Sequence, residues 1–133
     1  PIWRAGSSGT GSVSSPGGQE YHFSASYGAG KAGLDRLSAD MAIELQPEGI
    51  ACVSLYPGSV STEFIVEWSG KRDTDIEGAQ TPLVVCRCIA ALALAPDLME
   101  RSGSIQWVED IGAEFNVLDE HGRLPAPYAR RAG

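Results

Sequence analysis

The chain has 133 residues, 43% hydrophobic and 20% charged, enough for one domain with its own core. A net charge of −7 and a pI of about 4.7 argue against nucleic acid as a partner, because basic side chains cluster only at Lys71-Arg72 and Arg130-Arg131. Cys52, Cys86 and Cys88 make no even disulfide framework, and a Cys-x-Cys pair without a nearby histidine is a poor zinc signature; reduced thiols and no metal are expected.

Residues 1–24 are rich in Gly and Ser and read as loop, with a short strand near Ser12–Ser15. The first residues lack the apolar run of a signal peptide. Disorder is expected over residues 1–12 and 129–133. From Ser26 to Gln46 the pattern is helical: Leu34, Leu37, Met41 and Leu45 recur at three- and four-residue steps, and Pro47 stops the run. Ile50–Tyr56 is a continuous apolar strand closed by Pro57-Gly58, the pattern of a strand covered on both faces. A short helix is expected over Glu63–Ser69. The polar loop that follows contains Asp73–Gly78, which superficially resembles a calcium loop but lacks its alternation and its final glutamate. Pro82–Ala95 reads as a second strong helix, interrupted by Arg87 and too short to span a bilayer. "GSIQWVEDI" reads as a strand, and "EFNVLDEHGRLP" as a segment closing with a turn at His121-Gly122.

Alternating helices and strands imply an α/β fold with a parallel sheet and crossover helices. Two strands make a poor sheet, so the chain reads as a single partial domain, the C-terminal half of a larger fold.

Tyr27 and Lys31 lie about one helical turn apart and therefore share a face. A free tyrosine titrates near pH 10, and a nearby ammonium favours its phenolate, so the pair can relay a proton near neutral pH. Glycine and alanine between them would let a ligand approach the backbone. A Tyr-x-x-x-Lys match by itself is common, and its context carries more weight: two serines upstream, then a strand delivering Pro57-Gly58, then Thr62.

In that order and spacing, "SSPGGQEYHFSASYGAGKAG" and "VSLYPGSVSTEF" resemble the short-chain dehydrogenase/reductase superfamily. Together with "FNVLDEHGRLP" they are similar to one group within it in particular, over residues from about 12 to 128. The resemblance implies a Rossmann-type doubly wound parallel sheet whose N-terminal nucleotide-binding half is missing from this chain. It implies hydride transfer between NAD or NADP and a small-molecule carbonyl or alcohol, with only the nicotinamide end held here. Tyr27 would exchange the proton with the substrate oxygen, and Lys31 would lower the Tyr27 pKa and bind the nicotinamide ribose. Pro57, Gly58 and Val60 would form the turn beneath the ring, and Thr62 would meet its carboxamide. For the serine that holds the substrate oxygen, the usual thirteen-residue spacing points to Ser14, slightly favoured, while the Ser-Ser-x-x-Gly pattern, with Gly18 as its glycine, points to Ser15. "GSSGTG", Gly6–Gly11, has a glycine-rich look but lacks the preceding strand and following helix of a pyrophosphate site. The segment before Ser14 also lacks the apolar strand that carries the serine in this family.

Around this core, His22 could contact substrate but reads rather as a partly exposed loop histidine, His121 reads as exposed, and Tyr21 and Phe23 could line a pocket but read rather as packed. Phe64, Ile65 and Trp68 could cover an apolar ligand or simply pack. The family pairs the Tyr27–Gln46 helix with its twin, which makes a homodimer an expectation, with burial against the sheet as the alternative. Membrane association is not readable, and an intracellular site, cytoplasmic or endoplasmic-reticulum associated, is expected. The rival functional readings are an inactive fragment and a non-catalytic, helix-mediated dimerisation module.

Overall fold

The computed structural model describes residues 8–70 and 78–128, apart from the Trp68 side chain. In chain order the elements are β1 (Ser8–Val13), α1 (Ala25–Leu45), β2 (Ile50–Tyr56), α2 (Glu63–Ser69), α3 (Pro82–Ala93), β3 (Ile105–Trp107) and α4 (Val108–Phe115), with 3₁₀ turns at Pro16–Gly18, Gln46–Glu48 and Leu98–Arg101. The sheet runs β1-β2-β3. The chain divides into two compact units, Pro1–Tyr56 with Ala93–Gln106 and Pro57–Leu92 with Trp107–Gly133.

In the first unit β2 is the buried centre, with Ala51, Cys52, Val53, Leu55 and Tyr56 all in the core. β1 pairs with it in parallel, from Ser8 opposite Ile50 to Val13 opposite Leu55, and the Ser14 amide extends the ladder by donating to the Leu55 carbonyl at 2.9 Å. The residues expected to be disordered or loop at 8–12 therefore form most of a strand, which also takes in the described part of the glycine-rich Gly6–Gly11 stretch. β1 lacks the apolar signature of a strand because its residues are almost all exposed. Only at Gly9 is the space tight, where a Cβ would stand 3.0 Å from Leu98 Cδ2. The remaining residues expected to be disordered, 1–7 and 129–133, lie outside the described residues.

Helix α1 begins at Ser24, whose side chain accepts from the Tyr27 amide at 3.2 Å, and gives way to the 3₁₀ turn containing Pro47. Its buried face is made of small residues, Ser38 and Ala42. Ser38 Oγ lies 2.8 Å from Ser12 Oγ on β1, which in turn lies 3.5 Å from Ser54 Oγ on β2. Leu34, Met41 and Leu45 of the apolar stripe are half-buried, whereas Leu37 and Ile43 are exposed.

In the second unit α3 buries Val84, Val85, Cys88 and Leu92, while α4 buries Val108, Ile111 and Gly112. The segment expected as one strand, "GSIQWVEDI", is instead a three-residue strand running directly into α4. Glu109 and Asp110 occupy the first turn of that helix, where carboxylates complement the N-terminal dipole. The described stretch 117–128 is tied down along its length. Asp119 accepts from the His121 and Arg123 amides, both at 2.8 Å, and ion-pairs with the Arg123 guanidinium at 2.9 Å. Arg87 reaches the Leu118 carbonyl at 2.6 Å, and Thr81 donates to Glu120 at 2.7 Å. Pro125 sits directly on Gly112, where an added Cβ would stand 2.4 Å from its ring. No helix among the described residues is long and apolar enough to cross a membrane.

Gly112→Ala is expected to lower stability by about 1–3 kcal/mol through overpacking against Pro125. Much of that loss should be recovered in the Gly112→Ala/Pro125→Ala double variant, read from denaturant midpoints.

Candidate active site

Tyr27 and Lys31 share the face of α1 that their spacing predicts. The Lys31 Nζ stands 5.7 Å from the Tyr27 ring centroid, within reach of a cation–π interaction, and donates to the Val13 carbonyl at the end of β1 at 3.2 Å. That leaves two of the three ammonium donors for a ligand. The Tyr27 hydroxyl lies 2.9 Å from Ser15 Oγ, which caps the Pro16–Gly18 turn by accepting from the Gly17 amide at 3.2 Å.

This geometry separates the two serine candidates. Ser14 is buried, and its hydroxyl turns into the fold to donate to the Lys31 carbonyl at 3.2 Å. Ser15 is the serine brought to the phenol. β1 ends at Val13 and the next two side chains diverge, Ser14 inward onto α1 and Ser15 onto the 3₁₀ turn.

Three glycines allow the 3₁₀ turn to lie against α1. A Cβ at Gly17 would stand 2.6 Å from Tyr27 Cε1, one at Gly18 would stand 2.6 Å from Asp35 Oδ2, and one at Gly28 would stand 3.1 Å from the Gly17 carbonyl oxygen. The sequence marks Gly18 by pattern; Gly17, which seats the phenol ring, carries no signal of its own.

Asp35 and Tyr56 also escape a sequence reading. Asp35 follows Lys31 by one further turn, and its Oδ2 accepts from the hydroxyl of the fully buried Tyr56 at the end of β2. Burial, and then the hydrogen bond to Asp35, push the Tyr56 phenol well above its ordinary value, so it stays a proton donor at any physiological pH. The other Asp35 oxygen, Oδ1, is buried with no hydrogen-bond partner. The i, i+4, i+8 series Tyr27, Lys31, Asp35 was the one available signal.

In the second unit Pro57 is buried, the Gly58 amide donates to Gln80 Oε1 at 3.2 Å, and Val60 forms a parallel bridge with Gln80. Thr62 caps α2 by accepting from the Ile65 amide at 3.4 Å, which leaves its hydroxyl proton to donate elsewhere. Gln80 is a further residue the sequence reading misses.

His22 is half-buried, its Nδ1 3.8 Å from Glu20. Tyr21 and Phe23 were expected to pack but are 76% and 79% exposed. Phe23 takes a left-handed backbone with φ 56°, unusual for a bulky residue, and sets its ring edge-on to Tyr27 at 5.1 Å. Phe64 is exposed, the Trp68 side chain is outside the described residues, and so is most of Asp73–Gly78. No group of three or more potential metal ligands occurs among the described residues.

Residues 10–73 match the short chain dehydrogenase family. Dehydrogenase/reductase SDR family member 1 of Mus musculus is 38% identical over 127 residues, covering 87% of this chain and 41% of the relative. The chain belongs to the short-chain dehydrogenase/reductase superfamily. It spans about two fifths of the length of the curated relatives it matches. The α/β fold agrees. The structure of BdcA in complex with NADPH is matched with a TM-score of 0.62 at 23% identity, over 74% of this chain and 43% of that one. A 4-hydroxyisoleucine dehydrogenase mutant complexed with NADH and succinate is matched with a TM-score of 0.63 at 23% identity, over 76% of this chain and 45% of that one.

Tyr56→Phe is expected to cost about 1–3 kcal/mol by leaving the Asp35 carboxylate without its donor. Because folding raises the Tyr56 pKa, its contribution is present in full below about pH 10 and is lost as pH rises above that value, where only the unfolded chain ionises. Stability measured against pH should therefore fall less steeply above pH 10 in Tyr56→Phe than in wild type.

Proposed function

We propose that this chain carries the acid–base and nicotinamide-facing part of an oxidoreductase acting on a small carbonyl or alcohol, with Ser15, Tyr27 and Lys31 as its reacting group. The observation that carries the reading is the contact of two hydroxyls, Ser15 Oγ and Tyr27 OH, 2.9 Å apart, with an ammonium standing over the same phenol ring. Two adjoining hydroxyl donors suit a carbonyl oxygen, which accepts from both.

Lys31 has donors left for the ribose diol of a nicotinamide nucleoside. The family resemblance assigns Pro57, Gly58 and Val60 to the turn beneath the ring and Thr62, whose hydroxyl proton is left to donate, to the carboxamide. When bound, the nicotinamide supplies or accepts the hydride. In the reducing direction Tyr27 gives its proton to the substrate oxygen as the carbon gains hydride, and Ser15 holds that oxygen by a hydrogen bond. Lys31 stabilises the phenolate that remains, and a solvent proton restores the phenol. In the oxidising direction the phenolate removes the hydroxyl proton. Ser14, facing the interior, supports the turn and takes no part in the exchange. Solved relatives bound to NADPH or to NADH support a nicotinamide cofactor without choosing between the two.

A second reading, a non-catalytic module that self-associates through α1, is favoured by the exposure of Leu37 at 54% and Ile43 at 72%. Self-association is compatible with catalysis as well, so Tyr27→Phe separates the two: it sharply lowers turnover in an enzyme and leaves a pure pairing module unaltered.

Titration of the 133-residue chain with NADPH and NADH tests the proposal directly, and absence of binding at millimolar cofactor would make the chain inactive by itself. With activity present, Tyr27→Phe is expected to reduce kcat by roughly 10²–10⁴-fold. Ser15→Ala should act in the same direction, and Ser14→Ala should affect stability more than kcat.

A further inference from the structure

Gln80 is a buried glutamine at the junction of three segments of the second unit, 2% exposed. Its backbone amide donates to the Ser59 carbonyl at 2.7 Å, and its carbonyl accepts from the Ser61 amide at 2.9 Å and the Ser61 hydroxyl at 3.3 Å. Its side-chain Oε1 accepts from the Gly58 amide at 3.2 Å, and its Nε2 donates to the Ala126 carbonyl at 2.8 Å. A backbone N–H must meet the oxygen and a backbone carbonyl must meet the NH₂, so the two partners fix the amide in one orientation. A Cβ at Gly58 would stand 3.1 Å from Nε2, which places the turn backbone directly against this amide.

We infer that Gln80 is a positioning residue for the Pro57–Thr62 turn, coupling it to the C-terminal stretch at Ala126 and thereby setting affinity for the nicotinamide end of the cofactor. The inference rests on the assignment of that turn to the nicotinamide under the proposed function. The turn lies between a strand and a helix; the Gln80 main chain holds its Ser59 and Ser61, and the Gln80 side chain extends that hold to Gly58. An apolar residue would fill the same volume yet leave the Gly58 amide and the Ala126 carbonyl without partners, and both would then seek water. A turn freed to do so samples many positions, and a ligand that needs one of them binds more weakly in proportion to that position's population.

The test compares wild type, Gln80→Met and, as a stability control in the same unit, Leu92→Ala, each titrated with NADPH and with NADH and assayed at saturating cofactor. The expected result is a rise of about tenfold in cofactor Kd and KM for Gln80→Met with kcat within about threefold of wild type, and little change in either for Leu92→Ala. A Gln80→Met Kd equal to that of wild type overturns the inference. So does a Leu92→Ala Kd that rises as much, or a loss confined to kcat. Should Gln80→Met fail to fold, Gln80→Glu makes the same comparison, since it keeps the acceptor for Gly58 and sets a carboxylate against the Ala126 carbonyl. A wild type that binds neither cofactor sinks the functional reading, and this inference with it, whereas failure of the inference alone leaves wild-type binding intact.

Discussion

The arrangement around Tyr27 depends on the close approach of a 3₁₀ turn to the first turns of α1. Hydrogen at three Cα positions, Gly17, Gly18 and Gly28, lets main chain lie against main chain and ring. A hydroxyl on the turn then reaches the phenol, and an ammonium one helical turn further on stands over the same ring. The constraint is steric before it is chemical: any side chain at Gly17 would displace the aromatic ring and break the serine contact with it.

Behind that surface polar groups help to hold the first unit together. Ser12, Ser38 and Ser54 meet across β1, α1 and β2, and Tyr56 donates to Asp35. Directional bonds of this kind fix the rotation and translation of α1 relative to the strand, which apolar contacts alone permit to slide. The side chains of Tyr27 and Lys31 gain a defined height above the end of β1, and Lys31 confirms it by reaching the Val13 carbonyl.

Periodicity made α1 and β2 legible, because Leu34 to Leu45 repeat at helical steps and Ile50–Tyr56 is an unbroken apolar run stopped by proline. β1 was hidden because its glycines and serines are mostly exposed and present no hydrophobic face. α4 was hidden because Ile105, Trp107 and Val108 are strand-forming residues that straddle the boundary, and three residues of strand give no pattern to find. Tyr27 and Lys31 were readable from spacing. The choice between Ser14 and Ser15 was not, since adjacent residues leaving a strand point in different directions and only the turn that follows decides which one faces outward. Gln80 and Asp35 act through partners distant in sequence, and no local pattern marks such a partnership.

The anchoring of Gly58 through Gln80 to Ala126 also has a meaning for biogenesis. The carbonyl that completes this junction belongs to a residue made long after the turn it steadies. During vectorial synthesis, strand β2 and helix α1 can condense while that carbonyl is still inside the ribosome. The loop at 57–62 therefore gains its last hydrogen-bonded support only after translation has passed Ala126.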